Sequence, residues 1–428
     1  MPCSTEKNTG SPGWGPLARY VIAATLARTS DGGAVVAIVL MVNTSGGSGR
    51  LAGALGACIT APHLLGPFVA RRLDTARDGR TVIAAASLAH GTALAAAVLL
   101  YPHTHPAVSA ALLIVSGLFG PLLTGGISSR LPAIAGCGQQ RQRRAQGWDV
   151  ATYGVGGTVG PTLVAALSAW ASPATAALVL AAGCFVAAAV IRLLPPTPPP
   201  GAGAGAGEDV PRPARTLITI VTSGPLRRTL YLTVTVAFSV AALPVTAVSR
   251  RNAAAAGVLT AAYGLGNLAG SAGVMIRPSR AEADRLTTRL AAAVAATLLL
   301  ITLTSSFALA VAAYAAAGIA NAYFFAATLA ARNEYAPDNA RGQIFVWVGA
   351  LKITAGSAGT AVAGALIGTS IALPLLLVTV LAFTSALLSL AERRHSRRRR
   401  DHDPRAALPA PAALPTGSES RQPKPPTS

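Results

Sequence analysis

Apolar runs long enough to cross a bilayer recur through the 428 residues, near 17–42, 50–70, 81–101, 107–128, 149–170 and 173–194. They recur again near 228–248, 254–276, 290–306, 308–331, 342–369 and 371–391. A run of about 20 apolar residues must satisfy its backbone polar groups internally, and in lipid the helix is the form that does so. The runs are built from Ala, Leu, Val and Gly, which suits helices packed closely through small residues. Short alternating segments with aromatic girdles, the pattern of a membrane barrel, are missing. Only 12% of residues are charged, against roughly 25% in a soluble domain. The expected fold is an all-α polytopic membrane protein of about twelve transmembrane helices.

Residues 194–213, LPPTPPPGAGAGAGEDVPRP, divide these runs six and six. Proline removes backbone donors and glycine removes conformational bias, so this stretch reads as a linker. The expected division is a tail over 1–16, a six-helix half over 17–194, a linker over 195–227, a second half over 228–391 and a basic, disordered tail over 392–428.

Twelve spans put both termini on one side, and the loop charges give that side an identity. Arg71, Arg72, Arg77 and Arg80 fall there, with Arg130, Arg141, Arg143 and Arg144. So do Arg192, Arg212, Arg215, Arg227 and Arg228, then Arg277, Arg280, Arg285 and Arg289, then Arg332, Arg341 and the arginine-rich tail. The opposite loops hold Arg50, Arg250 and Arg251. Positive charge marks the cytoplasmic side, so both termini are expected there. The formal charge of +20 therefore reports topology rather than nucleic-acid binding. Arginine dominates the basic residues, and Ala, Gly and Pro are abundant, which points to a high-GC bacterium and its cytoplasmic membrane. Cys3, Cys58, Cys137 and Cys184 have neither disulfide nor metal spacing.

Six spans, a long linker and six more spans, together with the loop Gly66-Pro67-Phe68-Val69-Ala70-Arg71-Arg72-Leu73-Asp74-Thr75-Ala76-Arg77-Asp78-Gly79-Arg80, resemble the major facilitator superfamily and its signature loop. The loop departs from the family spacing: Ala70 stands where the family has its acid, and Asp78-Gly79-Arg80 comes late. The resemblance implies that Gly66 permits close helix contact and that Arg71, Asp74, Asp78, Gly79 and Arg80 can form an interhelical latch. Gly147, Gly156 and Gly160-Pro161 have the spacing of the glycine motif in the fifth helix of the family's antiporters, with Val164-Ala165 in place of its closing glycines. Proton-coupled drug exporters of the family carry an arginine within span four. Here Arg130 lies at the end of that span, so coupling through that motif is not expected. Arg332-Asn333-Glu334 and Arg341-Gly342-Gln343 resemble the corresponding loop before span eleven.

An ionisable residue within a span is a candidate for function. Arg28 and Asp31 share one face of span one at i, i+3 and are expected to pair, either as a structural ion pair or as a coupling site where Asp31 takes a proton. Helix one lines the central cavity in the family, so the resemblance would put the pair near the substrate path. Lys352, mid-span in helix eleven, must find an acid or carbonyl partner or lose its proton through desolvation, and it can also attract an anionic substrate group. Asn321 and Tyr323, beside Phe324 and Phe325 in span ten, suit an amphipathic organic ligand or ordinary packing. His63 and His90 read as hydrogen-bonded packing residues that can titrate near neutral pH.

No nucleotide loop, His-Glu-x-x-His or Gly-x-Ser-x-Gly appears, so neither an enzyme nor a cofactor or metal is expected. The resemblance implies a secondary active transporter. The glycine motif implies proton-coupled efflux of a small amphipathic organic compound by alternating access. The alternatives are an importer of a small metabolite and a non-transporting scaffold or sensor. Expected partners are the small-molecule substrate, protons and the lipid bilayer, with no nucleic acid, and the chain is expected to act as a monomer.

Overall fold

The computed structural model describes residues 14–136, 138–196, 210–250 and 252–401. Cys3, Cys137, Arg251, the proline–glycine run 197–209 and the tail beyond 401 lie outside the described residues. The first half consists of α1 (Trp14–Thr44), α2 (Gly49–Thr75), α3 (Gly79–Leu100), α4 (Pro106–Ala135), α5 (Gln139–Trp170) and α6 (Pro173–Arg192). The second consists of α7 (Gly224–Ser249), α8 (Ala253–Ile276), α9 (Ala283–Leu303), α10 (Phe307–Tyr335), α11 (Arg341–Ile367) and α12 (Leu373–Asp401). Among the described residues there is no strand.

Eleven of these helices are long and apolar enough to cross a membrane. The remaining one is α8, whose 24 residues give about 36 Å of helix at 1.5 Å per residue. Asn267, Tyr263 and five glycines dilute its hydropathy, and it is packed along α10 and α5. Small polar caps start several helices. Ser48 accepts from the Leu51 N–H, Asp78 from Arg80, Ser172 from Thr175 and Asn252 from Ala255. Prolines 106, 173, 213 and 225 occupy first turns, where the missing N–H has no intrahelical partner in any case.

Several boundaries differ from the sequence reading. The linker contains its own helix, Pro213–Thr222, followed at once by α7. Leu217 and Ile220 bury it against Trp347 and Ile344 of α11, and this apolar stripe makes the stretch helical. Helix α10 runs to Tyr335 rather than stopping before Arg332. The helix of α12 continues to Asp401 rather than ending near 391, because arginine is a good helix former.

In the first half α1 packs against α5 and α6, and in the second α8 and α9 pack on α10. The glycines of α5 set the first crossing. A side chain at Gly160 would meet the Thr29 carbonyl at 2.6 Å and the Gly33 nitrogen at 2.8 Å. A buried bidentate pair, Arg228 to Asp284 at 2.8 and 2.9 Å, ties α7 to α9. The halves meet where α5 lies on α8 and α10 and where α2 and α4 lie on α11. Pro121 interrupts α4, and residues Leu122–Gly126 form a π-type turn. The missing N–H loosens the helical ladder at this point. This turn packs against α11 beside the cavity described next.

Candidate functional site

A cavity of about 160 Å³ opens between the halves, lined by α1, α4, α5, α10 and α11. Arg28 and Asp31 come from α1, Tyr153 from α5, Phe325 and Arg332 from α10, and Lys352 from α11. Of the residues expected on the substrate path, Arg28, Asp31 and Lys352 meet here.

Arg28 and Asp31 do not pair with each other. Arg28 turns to α5, where Nη1 donates to Asp149 Oδ1 at 2.7 Å and also to Thr152 Oγ1. Its Nη2 donates to Ser128 Oγ at 2.9 Å. The guanidinium lies 3.6 Å from the centre of the Tyr153 ring. Asp149 is saturated in turn: Tyr20 donates to Oδ1 at 2.5 Å and Ser128 to Oδ2 at 2.8 Å. Arg28 is 4% exposed and Asp149 not at all, so this pair has left water entirely. The sequence reading placed Asp149 at the mouth of span five. Helix α5 begins ten residues earlier, at Gln139, because the basic segment Gln139–Arg144 stays helical. The acid therefore sits within the membrane and outcompetes Asp31 for the guanidinium.

Asp31 is left facing His63 of α2, with Oδ1 3.6 Å from Nε2 and no hydrogen bond to that oxygen. The Nδ1 atom of His63 is 2.9 Å from the Ile59 carbonyl. A carbonyl only accepts, so Nδ1 carries the hydrogen, and Nε2 presents a lone pair unless the ring is protonated. A lone pair facing a carboxylate is repulsive, and one proton between the two groups removes the repulsion. Gly120 makes the room: a side chain there would overlap the His63 ring and approach Asp31 Oδ1 at 2.9 Å. His63 is thus buried and hydrogen-bonded, as expected of a packing residue, and in addition faces a carboxylate. His90 keeps that role, with Nδ1 3.0 Å from the Ser116 carbonyl and 2.9 Å from its hydroxyl.

Lys352 lies over the Phe325 ring at 3.5 Å and 5.0 Å from the centre of Tyr153. Arg332 was expected in a loop. It is 1% exposed, donates to the Thr328 carbonyl and hydroxyl at 3.1 and 3.2 Å, and stacks near Phe345 and Phe325. Those rings and Thr328 let α10 continue through an arginine. Among the described residues neither Lys352 nor Arg332 forms an ion pair. Asn321 and Tyr323 line a different surface. Asn321 neighbours Tyr263 of α8, and Tyr323 is packed on Gly273 of α8. Tyr323 lies about 200° around the helix from Phe325.

The signature loop and the α10–α11 turn close the arginine-rich face. Asp74 accepts from the backbone N–H groups of Gly342 and Gln343, both at 2.8 Å, at the start of α11. Asp74 lies one helical turn beyond Ala70 on the same face of the helix. Gly66 packs on Pro121, and Gly79 lies under the Arg130 guanidinium. Arg71 donates to the Val210 carbonyl at 3.3 Å. Asp78 binds Arg80 at 2.9 Å and Arg192 at 3.1 Å. The hydrogen bonds from Arg80 hold its carboxyl at about 2. Because this value is depressed, the loop's stability is present above the ordinary carboxylate range and is lost only as pH falls through about 2. Asp78 therefore stays charged, and able to hold Arg80 and Arg192, throughout the physiological range. Arg143 bridges to Glu334 at 2.6 Å and Gln142 to Asn333 at 2.7 Å, joining α5 to α10. Gly147 packs against Met275 and Ser271 of α8, while Gly156 packs on Arg28 of α1.

These contacts hold the arginine-rich face shut. Glu334→Gln is expected to shift the chain toward opening there by roughly fivefold, corresponding to about 1 kcal/mol. The measurement is maleimide labelling of Ile353→Cys in the cavity from that face in oriented vesicles. Unchanged labelling would mean that the bridge does not contribute to closure.

The family model described as Major Facilitator Superfamily matches residues 20–290. No curated protein matches the chain. Among solved structures, a bacterial homologue of the iron transporter ferroportin in an outward-facing state is similar, with a TM-score of 0.71 at 12% identity over 88% of this chain and 99% of that one. The human organic anion transporter MFSD10 (TETRAN) has a TM-score of 0.67 at 16% identity, over 87% of this chain and 99% of that one. The proton:xylose symporter XylE bound to 6-bromo-6-deoxy-D-glucose has a TM-score of 0.65 at 13% identity, over 88% and 95%. At these identities the likeness is one of fold.

Proposed function

The chain belongs to the major facilitator superfamily, whose members are membrane transporters rather than enzymes, and on that premise we propose that it moves a small amphipathic organic compound across the cytoplasmic membrane by alternating access, driven by protons. The observation that carries the reading is the Asp31–His63 pair, which has the geometry to hold one proton and opens on the cavity between the halves. A site that gains or loses a proton while facing cargo couples two gradients through one conformational change. Phe325 and Tyr153 offer apolar surface to the cargo. The arginine-rich face is the cytoplasmic one by the positive-inside bias, with both termini on it.

The first reading of direction is efflux in exchange for protons, supported by the glycine spacing of α5. The second is uptake together with a proton, supported by Lys352 and Arg332, which form no ion pair among the described residues and favour proton and anionic cargo binding together. The test is accumulation of a panel of cationic, neutral and anionic dyes and antibiotics in an efflux-deficient host, with and without an uncoupler. Efflux lowers accumulation and uptake raises it. In either case the uncoupler and Asp31→Asn abolish the difference. A difference that survives both would overturn proton coupling.

A further inference from the structure

The charges around the cavity leave a surplus. Arg28 is neutralised by Asp149, on which it sits at 2.7 Å. Asp31 faces His63, and the pair is neutral as a unit when it holds one proton. Lys352 and Arg332 remain, both against the Phe325 ring and neither in an ion pair among the described residues. Two cations held at membrane depth, Lys352 against aromatic faces and Arg332 against aromatic faces with one carbonyl and one hydroxyl, are costly without a counter-charge. The arrangement is resolved when a negative charge enters.

We infer that the cavity binds a small organic anion, its carboxylate, sulfonate or phosphate group at Lys352 with Arg332 behind the same ring, and its apolar body against Phe325 and Tyr153. The inference rests on the transport reading only for the word cargo, because the binding itself is independent of direction.

Proton and anion also act on each other. Losing the proton from Asp31–His63 puts a carboxylate charge on the wall opposite the two cations and weakens the field that attracts the anion. By linkage, the bound anion strengthens proton binding by the same factor. The groups facing the pair are His90 of α3, Cys184 of α6, Tyr153 and the Arg28–Asp149 pair, and across the cavity Lys352 and Arg332. None of them supplies a second free carboxylate. Anion and proton therefore cross on the same swing, the second of the two directions above.

The experiment is calorimetric titration of the purified full chain in lipid nanodiscs with benzoate, phenyl phosphate and benzenesulfonate. Benzylammonium and benzyl alcohol serve as matched controls of the same ring size. At least one anion binds, and both controls bind at least about tenfold more weakly, as expected for a charge-assisted contact. Lys352→Gln lowers anion affinity by a similar factor, while Lys352→Arg, which keeps the charge, retains most of it and shows that the fold is intact. Affinity for the anion rises as pH is lowered in the wild type and becomes flat in Asp31→Asn. Equal binding of the alcohol, absence of binding by every anion, or an unaltered affinity in Lys352→Gln would each overturn the inference. Anion binding without any flux in proteoliposomes would sink the transport reading and leave this one standing. Flux of benzylammonium with no anion binding would do the reverse.

Discussion

Asp149→Ala is expected to destabilise the folded chain by about 3–5 kcal/mol, the usual consequence of stripping a buried ion of its partner. The reason lies in how completely Asp149 is engaged. One carboxylate takes hydrogen bonds from Arg28, Tyr20 and Ser128 and so joins α1, α4 and α5 at one point. Its loss leaves the Arg28 guanidinium in the membrane with Ser128, Thr152 and two backbone carbonyls, none of which carries charge. Arg28→Met should be milder, since it leaves Asp149 with two hydroxyl donors. The double change Arg28→Met with Asp149→Leu should recover much of the loss, because apolar side chains of similar volume replace a buried pair at little or no net cost. Reversible unfolding in mixed detergent, taken through the double-mutant cycle, measures the coupling directly. If Asp149→Ala lies within about 1 kcal/mol of wild type, the pair is not a structural staple, and Asp149 becomes a candidate proton carrier beside Asp31.

The architecture was legible because the bilayer imposes it. Apolar length is a one-dimensional signal, and it gave the all-helical, polytopic architecture. Asp74 shows where such signals fall short. The acid was visible and the family pattern displaced, but only the packed helices reveal that it lies on the face that caps α11. Arg28 and Asp31 illustrate a stronger limit. Spacing of i, i+3 allows a pair and says nothing of a competitor on another helix, and Asp149 is more than a hundred residues away. Arg332 was assigned to a loop because an arginine after an apolar run ordinarily ends it. The rings of Phe325 and Phe345 that house it come from two helices. Asn321 and Tyr323 were drawn into the site by residue type and by the place of span ten in the family, and their position around the helix carries them to α8.

His63→Gln is expected to abolish uphill transport while leaving gradient-free exchange of cargo nearly intact. Glutamine keeps the size and one hydrogen bond to the Ile59 carbonyl but has no basic nitrogen, so the single proton shared with Asp31 loses one of its two seats. Asp31→Asn removes the other seat and should match it. In proteoliposomes with an imposed pH gradient, either change should cut gradient-driven accumulation by at least about fivefold, the lower end of ordinary coupling between sites. Counterflow between equal pH compartments should continue, because it needs the cavity and the rocking of the halves and not the proton. That contrast separates a coupling residue from a structural one, since a misfolded transporter loses both activities. The two single variants and the double variant should also lose the same amount, because one shared proton can be removed only once. Were the losses additive, Asp31 and His63 would hold separate protons, and the lone pair facing Asp31 would need another donor. Were His63→Gln to drive cargo uphill as wild type does, Asp31 would couple alone, and the histidine would serve only to hold α2 against α1.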